Sequence, residues 1–190
     1  MVEQKQIHGR IQRYTSTILY YLLPLLIQNM FQVPQDLLCL YERVVEMLLY
    51  IAEYHRGEEE SYSQKDAVLL LDELVYNVDV ELKRAVGIKI IDTMLRIVRN
   101  KLEWKLCDDV MEIAWSAIWN VAYETPPNSE RFLDKHGMEL FLQCKETFPT
   151  KLDLLLIIMG LLGNVAEVKQ CRKRLMTSAF VEEFSLLLDS

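Results

Sequence analysis

Five side chains in the C-terminal half of this sequence have the types and spacing to hold a peptide: Trp119, Asn120, Tyr123, Asn164 and Glu167. On a helix, residues one and four apart are separated by roughly 100° and 40°, so Trp119, Asn120 and Tyr123 fall within one wide face. Asn164 and Glu167 share a face in the same way. An asparagine donates and accepts at once, which matches a peptide backbone. Tryptophan is a broad flat wall that loses little freedom when it is ordered. A carboxylate such as Glu167 pairs with an ammonium group through charge-assisted hydrogen bonds. An extended peptide, or the end of one, is the ligand such a set would suit. The same asparagines would equally serve to satisfy backbone groups between stacked helices, and spacing alone leaves both readings open. Trp115 and Trp119 are four apart, and we assign Trp115 to the core.

These residues need elements that repeat. Leu74-Val75-Tyr76-Asn77, Ala117-Ile118-Trp119-Asn120 and Leu161-Leu162-Gly163-Asn164 look like copies of one another, each near the end of an apolar helical pattern. Their asparagines are 43 and 44 residues apart. A period of that size marks a helical repeat that stacks into a solenoid, and a solenoid presents one residue per repeat along a continuous groove. His136-Gly137-Met138 and Ser178-Ala179-Phe180 also occupy matching places, with Met138 and Phe180 42 residues apart. Each unit reads as a short helix, a second helix and a long third helix, the armadillo plan. The N-terminal half is less regular. The segment 48–52 resembles the end of a third helix but lies about 27 residues before the next one, as if a helix were missing. The expected architecture is one all-α, armadillo-like helical-repeat solenoid over 1–190. Its N-terminal helices, over 1–60, are irregular, and about three units fill 61–190, the last incomplete.

Local signals set the expected boundaries. Helical periodicity runs nearly end to end, without sustained period-two alternation. One helix is expected over 11–31 and a second from Pro34 to about residue 55. Residues 56–60 are a polar break. A helix then starts near Ser63, with Asp66 completing an approximate capping box. Gly87 is expected to open a helix over 88–98, and Asp108 or Asp109 to cap the helix that carries both tryptophans. Thr125-Pro126-Pro127-Asn128 should terminate that helix, because two prolines cannot continue it. Gly137 opens the next through about Thr147. Thr150 with Asp153 should cap the helix that ends at Ala166. A short helix covers 172–176, and Ser178 caps the last.

Composition narrows the function. The chain has 190 residues, is 51% hydrophobic and contains 6 Gly and 5 Pro, which suits a packed helical protein. Its net charge of −7 argues against a nucleic-acid partner and suits a cationic ligand such as a free amino terminus, though acidity also serves solubility. Cys39, Cys107, Cys144 and Cys171 lie far apart in sequence, so no zinc or redox motif is written here. They read as reduced, mostly buried thiols of a cytoplasmic or nuclear protein. The apolar run 18–27 contains Pro24, is too short to span a bilayer and lacks a cleavage pattern. There is no Gly-rich phosphate loop, no His-Glu-x-x-His and no nucleophile elbow. The expectation is a binding protein without catalysis, cofactor, metal, nucleic acid or membrane.

Several rare residues also fall in a familiar order. Ser116 to Pro126 (Ser-Ala-Ile-Trp-Asn-Val-Ala-Tyr-Glu-Thr-Pro), Arg131-Phe132, Gly137-Met138-Glu139-Leu140-Phe141, Glu146-Thr147-Phe148-Pro149 and Gly160 to Val168 (Gly-Leu-Leu-Gly-Asn-Val-Ala-Glu-Val) closely resemble the armadillo-like region of the Zyg-eleven and Zer-one family. The resemblance is continuous over about 110–190 and weaker over 27–36 and 67–75. It leans toward the Zyg-eleven branch. Members are substrate receptors of cullin–RING ubiquitin ligases, and this region binds proteins that expose an N-terminal glycine. The resemblance implies that Trp119, Asn120, Asn164 and Glu167 match the family's pocket positions. A free α-amino group needs carboxylate and amide oxygens around it, and glycine is selected by a wall that leaves no room for Cβ.

The chain departs from that pattern in three ways. The family's Asp, four residues after the Trp, is here Tyr123, so one acidic partner is lost. Glu124 is adjacent, but on a continuing helix it would point about 100° away. An unpaired, partly buried ammonium would cost on the order of 2–5 kcal/mol. Family members continue with further repeats where this sequence stops at Ser190. The family's cullin-docking box and leucine-rich repeats are absent, so ligase components are expected to join only through regions outside this chain. Three other expectations stay open: an armadillo scaffold with a decayed pocket that binds through another surface, an enzyme if a pocket gathers strongly shifted titratable groups, and self-association through the Leu186-Leu187-Leu188 end.

Overall fold

The computed structural model describes residues 35–54, 61–76, 78–177, 180–182 and 184–185. Within them the order is α1 (Gln35–Tyr54), α2 (Ser61–Tyr76), α3 (Val80–Glu103), α4 (Asp109–Ala122), α5 (Pro126–Asp134), α6 (Gly137–Thr147), α7 (Leu152–Glu167) and α8 (Lys169–Leu175). Residues 180–182 are helical as well, and no strand occurs among the described residues. The expected all-α repeat fold is the one observed. The expected helix over 11–31, the polar break at 56–60, the cap at Ser178, the Leu186-Leu187-Leu188 end and Asn77 of the first copy lie outside the described residues.

Short polar side chains decide where the central helices begin. The Asp79 carboxylate accepts from the Leu82 amide at 2.9 Å and starts α3. The Asp108 carboxylate accepts from the Met111 amide at 3.1 Å and starts α4. Each satisfies a donor that the first helical turn leaves open. Pro126 and Pro127 occupy the first two positions of α5, where a missing N–H costs nothing. Gly137 opens α6, as its sequence predicts. The expected cap at Thr150 is not formed. α7 starts from Lys151 without a side-chain cap, and its long apolar face supplies the stability instead.

Gly87 does not open a helix. It lies inside α3, which runs unbroken from Val80. The glycine is there for space, since a Cβ at Gly87 would stand 2.0 Å from Asn128 Nδ2. Asn128 is wholly buried and donates from Nδ2 to the carbonyls of Val121, at 2.8 Å, and Lys83, at 3.1 Å. It ties the end of α4 to the start of α3. A residue read as part of a helix stop is thus a clamp, and the glycine admits it.

The long third helices α2, α4 and α7 pack side by side in one row. Helices α3, α5 and α6 back that row, α1 packs on α2 and α3, and α8 packs on α5 and α7. α4 is the centre of the core, with Val110, Met111, Ala114, Trp115, Ala117, Ile118, Val121 and Ala122 all buried. Trp115 has 0% of its surface exposed and meets Phe132 edge to face, with ring centroids 6.2 Å apart. Trp119 is 36% exposed. The division expected from their spacing therefore holds, with Trp115 inside and Trp119 at the surface. Of the cysteines, Cys144 and Cys171 are buried, and burial pushes the Cys144 thiol up to about 12. Cys107 is half-buried and Cys39 exposed.

Candidate functional site

The row of third helices brings Asn120 onto the α2–α4 seam and Trp119 and Asn164 onto the α4–α7 seam, while Tyr123 and Glu167 lie at the ends of α4 and α7. Asn120, on α4, turns toward α2. Its Nδ2 donates to Asp72 Oδ1 at 2.7 Å, and one turn earlier Ser116 Oγ donates to Asp72 Oδ2 at 3.1 Å. Asn164, on α7, turns toward α4, and its Nδ2 donates to the Trp119 carbonyl at 3.5 Å. Each asparagine therefore reaches the preceding unit through its NH2. A backbone carbonyl only accepts, and so does an ionised carboxylate, so chemistry fixes which end of each amide faces the neighbour. Half of each amide serves the stacking of units, but only Asn164 satisfies a backbone group, the role one reading gave both; Asn120 binds a side-chain carboxylate instead. The other half, Oδ1, accepts no hydrogen bond among the described residues.

Trp119 leans across the second seam. A Cβ at Gly160 of α7 would lie 2.5 Å from Trp119 Cζ2, so the indole rests directly on helix backbone. One turn further along α7, a Cβ at Gly163 would meet nothing within 4 Å. The wall thus stands over a bare strip of α7 that leads to Asn164. Glu167 is exposed at the end of α7, while Arg172 Nη2 donates to its backbone oxygen at 3.1 Å and Arg172 Nε to Ala166 O at 2.7 Å. Those two bonds satisfy carbonyls that the last turn leaves open, and they hold the helix end that carries Glu167.

Tyr123 is not on the helix. α4 ends at Ala122, and Tyr123 is its cap, with φ −61° and ψ 125°. Glu124 follows in the left-handed region at φ 55°. The 100° offset expected for Glu124 therefore does not apply, because the helix has already stopped. The reversal brings the Glu124 carboxylate to the Tyr123 phenol. Its charge and hydrogen bonding push that phenol up, and the charge of Glu167 adds to the effect. Two carboxylates, from the α4–α5 turn and from the end of α7, thus bear on Tyr123. On the ring face, Lys83 Nζ lies 5.2 Å from the centroid, within the range of a cation–π contact. Lys83 is buried, and desolvation lowers its ammonium pKa against the opposing charge of Glu124.

Asp72 is the residue that sequence reading missed. Burial pushes its carboxyl up to about 6 against the two hydrogen bonds from Asn120 and Ser116, which act the other way. One signal was available. An acid stands inside the apolar stretch 67–75, and Asp72 precedes Ser116 by 44 residues, one repeat period. Gly160 carried no signal, since only the packed indole reveals why it is bare. Among the described residues, no group of His, Cys, Asp or Glu side chains is placed to hold a metal ion, and no helix is long and apolar enough to cross a membrane.

Residues 4–190 match the family described as protein zer-1 homolog-like, C-terminal domain. The chain is similar to the protein zer-1 homologs of Homo sapiens, at 48% identity, and Drosophila melanogaster, at 46%, in each case over 161 residues that cover 84% of it. It is also similar to Zyg eleven-related protein 1 of Caenorhabditis elegans, at 38% identity over the same share. The matched region is 21%, 20% and 18% of these three relatives, so the chain spans about a fifth of their length.

Proposed function

We propose that this chain, which belongs to the protein zer-1 homolog-like C-terminal domain family, is the substrate-binding region of a ubiquitin-ligase substrate receptor. In this reading it recognises the free N-terminus of a protein, glycine first. The observation that carries the reading is the α4–α7 seam. There Trp119 stands over the bare backbone at Gly160, Asn164 bonds to the Trp119 carbonyl, and Glu167 ends the helix in an exposed position. An α-ammonium group carries only donors and needs acceptors around it. Glu167 supplies a carboxylate, and Asn120 and Asn164 supply amide oxygens. Trp119 forms the wall that a side chain beyond glycine would meet. Tyr123 lacks the acid of the family pattern, and the Glu124 carboxylate beside it takes that place.

The test is binding of labelled peptides that begin with free Gly, with Ala and with acetylated Gly. Micromolar binding of free Gly alone, lost in Glu167→Ala, is the expected result. Equal binding of free and acetylated Gly would sink the reading, since acetylation removes the charge and donors it depends on. A second reading is a scaffold whose pocket has decayed and which binds its partner elsewhere. It is favoured by Lys83, a cation of this chain's own already seated on the Tyr123 ring. It predicts no binding by the natural chain and recovery by Tyr123→Asp.

A further inference from the structure

Asp72 is half-buried in α2, a full repeat before the seam that holds Trp119 and Asn164. Its two carboxylate oxygens are each taken by one donor from α4, Asn120 Nδ2 at 2.7 Å and Ser116 Oγ at 3.1 Å. An ionised carboxylate has no proton to give. Asn120 must therefore show it the NH2, and the amide oxygen must face the other way. For an ammonium ligand that orientation decides the sign of the interaction, since Oδ1 attracts it and NH2 in the same place repels it. Burying a carboxylate is costly without such donors, and among the described residues no cation acts on Asp72 to offset that cost.

We propose that Asp72 is a positioning residue for amino-terminus recognition, holding the Asn120 amide with its oxygen presented to the ligand's ammonium group. This rests on the terminus-binding reading above. Asp72 touches no ligand and acts only through Asn120. Its protonation supplies a handle. Burial is the leading cause that sets the carboxyl at about 6, Ser116 and Asn120 of α4 oppose it as neutral donors, and Glu73 of its own helix adds the one charge among the groups that shift it. No charged group of α1, which packs on α2, is among them. Once Asp72 takes up a proton it can donate, and the Asn120 amide is free to turn round.

The experiment uses the full chain and two readouts. In the free protein, the side-chain NH2 resonances of Asn120, identified by their loss in Asn120→Ala, should titrate with a midpoint at about pH 6 and stay flat in Asp72→Asn. At pH 7.5, Asp72→Asn should weaken binding of the free-Gly peptide about tenfold, the size of one lost charge-assisted hydrogen bond. Its melting temperature should be at or above that of the natural chain, because a neutral amide can pair with Asn120 either way round. Asp72→Glu should restore part of the affinity. Unchanged affinity in Asp72→Asn, or Asn120 resonances that ignore pH, would overturn the positioning role while leaving the terminus reading intact. Failure of the natural chain to distinguish free from acetylated Gly would take both down together.

Discussion

The α2–α4 and α4–α7 seams use an asparagine at the same register of the repeat, and they are built differently. At the first, Asn120 donates to a half-buried carboxylate at 2.7 Å, with Ser116 as a second donor. At the second, Asn164 reaches a helix-end carbonyl at 3.5 Å in an exposed position. A charge-assisted bond is roughly twice as strong as a neutral one, and the Asn164 contact is at the limit of a neutral one. The first seam is closed and fixed. At the second, Trp119 packs directly on Gly160, and only Gly163 leaves α7 backbone open. Periodicity duplicates the residue but not its partner, so one asparagine is held by a carboxylate and the other by a long contact to a backbone carbonyl.

Three perturbations would break or sharpen that contrast. The largest is Trp115→Ala, which empties the core beneath α4, the helix common to both seams. It should cost about 3–5 kcal/mol, read as a shift in the urea midpoint. A cost below about 1 kcal/mol would mean that the seams, not the shared core, hold the row together.

Next is the pH dependence that Asp72 imposes. Its carboxyl is raised from an ordinary 3.8 to about 6 in the folded chain, so the folded state holds its proton to higher pH than the unfolded one. Stability should therefore fall as pH rises from about 4 to about 6, and stay lower above that, by roughly 1–3 kcal/mol. The difference in stability between the natural chain and Asp72→Asn should grow through that window and then level. A difference independent of pH would show that the carboxylate is solvated and the first seam not closed.

The smallest effect is the most direct comparison of the two asparagines. Asn120→Ala removes a donor from a half-buried carboxylate and should cost about 1–2 kcal/mol. Asn164→Ala removes a long exposed contact and should stay within about 0.5 kcal/mol, while both weaken the free-Gly peptide. Equal stability costs in chemical denaturation would erase the distinction between the seams.

Much of the architecture was legible because it rests on short-range signals. Proline at 126 and 127 and glycine at 137 act on their own turns, so α5 and α6 lie where the sequence puts them. Asp108 had Asp109 as a rival for the same cap, and the hydrogen bond to Met111 settles it. Gly87 and Thr150 misled because each residue type has more than one use. A glycine can be bare for backbone freedom or for the space another chain segment needs, and the Asn128 clamp that needs it lies 41 residues away. A cap is optional where an apolar face such as Leu154, Ile158, Leu161 and Val165 already binds the helix to its neighbours.

The sequence by itself determined the helical repeat, its period, the family, and which tryptophan is core, because hydrophobic spacing along one helix is a property of neighbours in the chain. It also singled out Trp119, Asn120, Tyr123, Asn164 and Glu167 as the residues with suitable chemistry. Only the tertiary structure decided that Asp72 faces Asn120, that Gly160 lies under Trp119, and that Tyr123 leaves the helix to lie beneath Lys83 and within reach of the Glu167 charge. Those contacts join residues about 40 or more positions apart in the sequence, in different elements of the fold. Their geometry depends on how the third helices lie against one another, which no local pattern of residue types encodes.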